Sequence, residues 1–199
     1  MRQRGFTLVE LIVAIAVLAL VLAASMPSIG TWMDNTRIRN VADALQNGIQ
    51  IAKAEAVRRN ENVSFFLVSL DNPSLLANDC ALSSTSGSWV VSVEAPTSHC
   101  GDAPSTDSSP KIVTGRAVGN GGNNVLVASV RSDDTTAATT ITFNGFGRLT
   151  NTDAIAKISV TGPNAGVEYR YLQIRVTPAG QVRMCDPRIT TVTDPRKCP

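Results

Sequence analysis

A chain of 199 residues is long enough for one compact domain with an anchoring segment, which points to one domain and not two. Hydrophobic residues make up 43% and aromatics only 5%, so any core is built mainly from aliphatic side chains. The formal charge of +2 excludes a strongly basic or acidic protein as a whole, but that charge is unevenly placed. Arg2 and Arg4 precede a long apolar run, and from Lys157 to the end seven Lys/Arg face three Asp/Glu. The C-terminal part is basic and the middle mildly acidic, a polarity that suits anionic partners.

Residues 1–26 read MRQRGFTLVELIVAIAVLALVLAASM. Beyond Gly5 only Thr7, Glu10 and Ser25 are polar, and residues 6–26 as a helix rise roughly 31 Å, enough to cross a bilayer core. Arginines at one end and none at the other place the N-terminus in the cytoplasm and the bulk outside. An ordinary secretory signal is the plain alternative, with Ala23, Ala24 and Ser25 as small residues for cleavage. Glu10 argues against it. A carboxylate in an apolar run costs about 2.5–3.5 kcal/mol near the centre of a membrane helix, and a discarded signal has no use for it.

The segment GFTLVEL, with Gly5 before Phe6 and Glu10 four residues after Phe6, resembles the processing site of type IV prepilins and pseudopilins. The resemblance implies cleavage by a prepilin peptidase between Gly5 and Phe6, with Phe6 then N-methylated. Glycine at the scissile position lets a protease approach the backbone closely. Glu10 would neutralise the new ammonium of a neighbouring subunit during assembly, since two buried opposite charges are tolerable where one is not.

After Pro27, a residue that removes a helix bond and kinks a long helix in the pilin family, Ile38, Val41, Leu45, Ile49, Ala52 and Ala56 recur at three- and four-residue intervals. Asp43, Asn47, Gln50 and Lys53 fall on other faces, so an amphipathic helix is expected to about Asn60. Residues 52–63, AKAEAVRRNENV, resemble a stretch of the GspH/FimT subgroup, which includes minor pilins and a minor pseudopilin of type II secretion.

Strands are expected at 63–70, 88–93, 124–130, 139–143, 156–160, 169–176 and 181–185, which are rich in Val, Ile, Phe, Tyr or Thr. With no helices between them they suggest antiparallel sheet. Residues 71–87, 97–110 and 119–123 read as surface loops, and GRAVGNGG at 115–122 reads as a turn, since it lacks the Lys-Ser/Thr of a phosphate loop. The fold expected is α+β and pilin-like: a long kinked N-terminal helix, half transmembrane and half amphipathic, packed on an antiparallel β-sheet head. Its parts are a leader (1–5), an assembly helix (6–26), an amphipathic continuation (27–60) and the head (61–199).

Cys80, Cys100, Cys185 and Cys198 all follow the apolar run and suit disulfides in an oxidising compartment. Of three connectivities, neighbour pairing is expected: Cys80–Cys100 and Cys185–Cys198. No CxxC pair is present and His99 is the single histidine, so no metal, cofactor or catalytic constellation is expected, and the protein is read as a non-enzyme. Asp133-Asp134 reads as a solvated acidic turn.

The one candidate site in the head is the C-terminal hairpin. Some members of the GspH/FimT subgroup bind DNA through a motif of Gly, Arg, any residue, Arg. Gly180 and Arg183 match it, but Gln181 stands in place of the first arginine. Arg175 and Arg188 keep the region basic, as phosphate contact requires. A solvated basic edge and a pilin–pilin contact remain the competing readings. The resemblance thus implies an inner-membrane protein with a periplasmic head, later part of a pilus or pseudopilus fibre. Its partners would be the prepilin peptidase, other minor and major pilins or pseudopilins and, through the hairpin, DNA. Three roles stay open: a minor pilin in assembly initiation or at the tip, a DNA-uptake subunit, and a minor pseudopilin of type II secretion.

Overall fold

The computed structural model describes residues 6–119, 124–163 and 169–199, and in 23–29 the backbone alone. One α-helix, α1, runs from Leu8 to Arg59 without interruption, with Pro27 inside it. Both its ends are encoded locally. Thr7 is the N-cap: its hydroxyl oxygen accepts the Glu10 N–H at 3.3 Å, while Glu10 Oε2 accepts the Thr7 N–H at 3.4 Å. At the other end Asn60 takes a left-handed conformation (φ 54°) and donates its N–H to the Ala56 carbonyl. Arg58 and Arg59 sit in the last turn, where the helix dipole favours cations, and both bind Glu55, at 2.7 and 2.8 Å.

The two halves of α1 differ. Side chains at 8–22 are exposed throughout, whereas Ile38, Val41, Leu45, Ile49, Ala52 and Ala56 are buried, as their spacing requires. Among the described residues no helix is long and apolar enough to cross a membrane. The run expected at 6–26 continues into the side chains at 23–29, which lie outside the description.

Among the described residues the head has two antiparallel sheets. In the first, β1 (Val63–Ser69) pairs on one side with β3 (Ser88–Ser92), which pairs with β4 (Ile112–Arg116). On its other side β1 pairs with β6 (Thr140–Phe143) and with the short β2 (Ala81–Leu82). The second sheet has the order β5 (Leu126–Val130), β7 (Lys157–Thr161), β8 (Leu172–Val176), β9 (Val182–Cys185). Both sheets turn an apolar face to α1, so Phe65, Leu67, Trp89 and Val91 meet Ile158, Val160, Ile174 and Val176 in one core with the helix stripe. Gly48 makes that approach possible, for a Cβ there would lie 2.8 Å from the rings of both Phe65 and Trp89. Seven strands fall within or close to the segments rich in Val, Ile, Phe, Tyr or Thr where they were expected. The first correction concerns 112–116, where β4 occupies part of the segment read as the turn GRAVGNGG. Ile112, Val113 and Thr114 supply the β-branched residues, and Gly115 faces Val90 across the ladder. The second is β2, two residues inside the expected 71–87 loop.

A smaller cluster covers the far side of the first sheet: Phe66, Val68, Val90 and Ile112 with Cys80 and Cys100. The Cys80–Cys100 disulfide pins the loop before β2 to the loop after β3 over this face. Cys185–Cys198 closes the chain end back onto β9. There Asp186 donates its N–H to the Arg196 carbonyl and pairs in a parallel bridge with Lys197, so the tail covers an edge strand that would otherwise be open.

Candidate functional site

The residues singled out in the sequence fall into three places. Of the processing pair, Gly5 lies outside the described residues and Phe6 is fully open, 87% exposed. Glu10 is exposed one turn away, its carboxylate held by the N–H and the hydroxyl of Thr7 at 3.4 and 3.3 Å. Two contiguous features thus share this end: an accessible peptide segment and a carboxylate at the head of an apolar helix.

The second place is the turn between β8 and β9. Gly180 is buried with φ +77°, and a Cβ there would come within 1.9 Å of the Gly147 carbonyl oxygen. No other residue fits both demands. Its carbonyl accepts a 2.8 Å hydrogen bond from Lys53 Nζ on α1. The two stretches picked out as subgroup-like, around Lys53 and around Gly180, therefore meet in space. Between them lies an open groove of about 700 Å³, lined by Gln50, Lys53, Val57, Arg58, Gln181 and Val182. The work of Gly180 is thus structural, seating the hairpin on the helix.

The third place is the outer face of the second sheet. Alternation sends Ile158, Ile174 and Val176 into the core and leaves Lys157, Arg175 and Arg183 on the opposite side. Register sets Lys157 opposite Arg175, and Arg175 opposite Arg183. Lys157 binds Asp134 at 2.5 Å, a contact that holds the Asp134 carboxyl below its ordinary range. Arg183 donates to the Pro195 carbonyl of the folded-back tail. Arg188 is part of that tail and donates to the Tyr169 carbonyl at 2.6 Å. So the structure brings Arg175 and Arg183 together and sets Gly180 and Arg188 to other tasks. Lys53 and Lys157 were missed, because only three-dimensional register and packing reveal them.

The remaining titratable pairs build loops. Asp133 accepts from the Thr136 hydroxyl and from the N–H groups of Thr136 and Thr135, which bring its pKa down to about 2. The acidic turn is therefore an organised cap with an ion pair beside it, more than a solvated surface. Asp102 binds Asn78 and His99, each at 2.8 Å, and its carboxyl is lowered by the Asn78 amide first and His99 second. Arg196 lies against Asp194, whose pKa falls to about 2 through that contact.

Comparison with known families places these features. A model described as the prokaryotic N-terminal methylation motif matches residues 1–26, and one described as type II transport protein GspH matches residues 41–180. The chain belongs to the GspH family. No curated protein matches it. Two crystal structures of the type IV minor pilin FimU of Pseudomonas aeruginosa (strain PAO1) are similar to it. The P21 form is 13% identical, covers 77% of this chain and 91% of its own, and has a TM-score of 0.44. The P65 form is 15% identical, covers 73% and 90%, and has a TM-score of 0.40. The GspH match ends at Gly180, so it takes in the helix–turn contact with Lys53. Arg183, Arg188 and the Cys185–Cys198 clasp lie past the matched residues of this GspH-family chain.

Proposed function

We propose that the chain is a minor pilin of a type IV pilus, a non-enzymatic subunit that acts in initiating assembly or at the fibre tip. Residues 1–5 serve as leader, 6–26 as membrane and assembly segment, 27–60 as the spine and 61–199 as the head. The observation that carries this reading is one unbroken helix with an exposed apolar half and a half buried in its own head. Unpartnered apolar helix of that length needs lipid first and neighbouring helices afterwards. The precursor is then held in the inner membrane with its head in the periplasm. Prepilin peptidase cuts between Gly5 and Phe6, and the mature helix packs among those of other pilins. Intact mass and N-terminal sequencing of membrane-extracted protein test this. Methylated Phe6 at the start supports it, and a start near Met26 sinks it.

A minor pseudopilin of type II secretion is built on the same helix and is favoured by the description of the matching family. The presence of minor-pilin genes or of secretion-system genes beside this one separates the two. A further reading is favoured by the paired Arg175 and Arg183: the pilus-displayed head binds DNA. Phosphate contact then gives affinity that is independent of sequence and falls steeply with salt. Arg183→Gln weakens the binding and lowers the salt slope, and Gln181→Arg strengthens it. No retardation of duplex DNA at low salt would remove this reading.

A further inference from the structure

The register between β8 and β9 decides which way each backbone group of β9 points. Arg175 sits opposite Arg183, and Val176 opposite Val182. The Val176 N–H donates to the Ala156 carbonyl at 2.9 Å, away from β9, while the Thr177 N–H donates to the Gln181 carbonyl at 3.0 Å. Antiparallel pairing alternates from one residue to the next. Arg183 and Cys185 therefore turn their N–H and C=O towards β8, and Val182, Met184 and Asp186 turn theirs outwards. The tail takes Asp186, whose N–H meets the Arg196 carbonyl at 2.7 Å. The N–H and C=O groups of Val182 and Met184 have no hydrogen-bond partner among the described residues. The opposite edge of the same sheet is closed at Ser129, which donates its N–H to the Ser84 carbonyl and accepts from the Ala138 N–H.

Open space runs beside this edge on the side of α1. The groove of about 700 Å³ lies at the Val182 end, with the exposed Ala54 and Val57 in its wall. At the Met184 end a second cavity, of about 420 Å³, is lined by Arg39, Arg170, Leu172, Met184, Asp186 and Arg196. Alternation points Val182 and Met184 towards α1 and leaves Arg183 on the outer face. The charges here are unevenly matched. Arg39, Arg58 and Arg196 pair with Asp43, Glu55 and Asp194, and Asp186 accepts the Arg188 N–H. Lys53 and Arg183 are bound to backbone carbonyls, and neither they nor Arg170 has an ion pair among the described residues. The edge is thus positive at both ends and in the middle.

The geometry points to strand addition: an extended acidic segment of a partner protein lies along Val182 and Met184 and continues the second sheet beyond β9. The backbone of that segment completes the two open rungs. Alternate side chains of the segment face α1, where Ala54, Val57 and Leu172 offer apolar surface. The residue between them stands directly opposite Arg183, where a carboxylate is favoured and a cation is not. The same rule excludes a second copy, because β9 paired against β9 sets Arg183 against Arg183. The open stretch is short, about 10 Å over three residues, and the disulfide-held tail closes it at Asp186. A short, partly covered edge resists indiscriminate pairing. The inference does not rest on the assembly reading, since it needs neither the apolar half of α1 nor a fibre.

The test uses the full chain in a non-ionic detergent and two end-capped peptides, Val-Glu-Val-Glu-Val and Val-Lys-Val-Lys-Val. Amide exchange followed by NMR should find Val182 and Met184 fast and Arg183 slow in the free chain. The glutamate peptide slows Val182 and Met184 about tenfold or more, and the lysine peptide leaves them unchanged. Met184→Pro deletes an outward N–H and spares the bonds to β8, as proline on an edge strand can. It weakens binding of the glutamate peptide about tenfold, while Met184→Leu keeps it. N-methylation of the peptide's valines makes the same cut from the other side, and it decides the outcome if the proline variant does not fold. Slow exchange at Val182 and Met184 in the free chain overturns the proposal. So does an equal response to both peptides, no response to the glutamate peptide, or binding that survives N-methylation. Protection that grows with protein concentration alone overturns it in favour of a second copy.

Discussion

The ammonium of Lys53, near the C-terminal end of α1, donates a 2.8 Å hydrogen bond to the carbonyl of Gly180, 127 residues further along the chain. The contact locks the tip of the β8–β9 hairpin to the helix. It depends on the close approach of Gly180 to Gly147, whose own Cβ, if it had one, would lie 2.9 Å from the Lys53 side chain. Gly180→Ala therefore forces a left-handed alanine into the Gly147 carbonyl and costs about 3 kcal/mol or more. Lys53→Met removes only the charge-assisted bond and costs about 1.5 kcal/mol. Thermal unfolding of the two variants in parallel checks the order. Equal losses would mean that the hydrogen bond, and not the backbone approach, sets the junction.

Gly48 offers the second packing test. In an exposed helix Gly→Ala gains about 1 kcal/mol, but here the added methyl meets two aromatic rings at 2.8 Å. Overpacking of that kind costs about 1–3 kcal/mol, so Gly48→Ala is expected to lower stability despite the better helix former. A variant that melts higher than the parent would show that Phe65 and Trp89 can give way.

How much of this could be read beforehand follows from the range of each interaction. The stripe Ile38 to Ala56 is written in a period of 3.6, and all six of its members are buried. β8 and β9 are written in alternation, with Ile174 and Val182 inward and Arg175 and Arg183 outward. β4 was hidden because Gly115 and the glycines after it outweigh three β-branched residues in a local reading. The meeting of Lys53 with Gly180, and of Arg175 with Lys157, depends on chain folding over long separations, so no local pattern announces either one. Gly180 shows the difference well. The sequence marks it as part of a motif, while its surroundings show a glycine selected by sterics.

The Asp133 carboxyl makes a pH-dependent cap on the turn that leads from β5 towards β6. Its pKa is down to about 2 from an ordinary 3.8, first because the Thr136 hydroxyl donates to it. A depressed carboxylate stabilises the fold above the unfolded value and loses that contribution as pH falls through the folded one. The window for Asp133 is therefore pH 4 down to about 2. Carboxyl-carbon NMR against pH should find the Asp133 midpoint near 2, moving up towards the ordinary value in Thr136→Val. An ordinary midpoint in the parent chain would mean that the turn is not capped in solution.

The Cys185–Cys198 clasp should matter most at the edge of the second sheet. It holds the tail against β9 together with the Asp186–Lys197 bridge and the Arg183–Pro195 contact. A cross-link over 13 residues constrains the unfolded chain by roughly 3 kcal/mol in the loop-entropy account. With both cysteines changed to serine, hydrogen exchange should accelerate in β9 and the tail well before β1 and β3. Uniform acceleration across both sheets would show that the clasp stabilises the head as a whole.

Glu10 allows the assembly reading to be separated from simple helix capping. In the isolated chain its carboxylate accepts the Thr7 N–H while the Thr7 hydroxyl oxygen accepts the Glu10 N–H, which together make a complete capping box. Such a cap is worth about 1 kcal/mol and needs an acceptor, not a charge. In the proposed fibre the carboxylate also balances the ammonium that cleavage creates on Phe6, among packed apolar helices where an unpaired charge is costly. Glu10→Gln keeps the acceptor and loses the charge, while Glu10→Val loses both. Both variants should be cleaved and methylated normally, since Gly5 and Phe6 are intact. If charge pairing is what assembly needs, both should fail to enter fibres, and Gln should be no better than Val. If capping is what matters, Gln should assemble and Val should not. Normal assembly of both variants, read by immunoblot of sheared fibres, would remove the pairing role from Glu10 altogether.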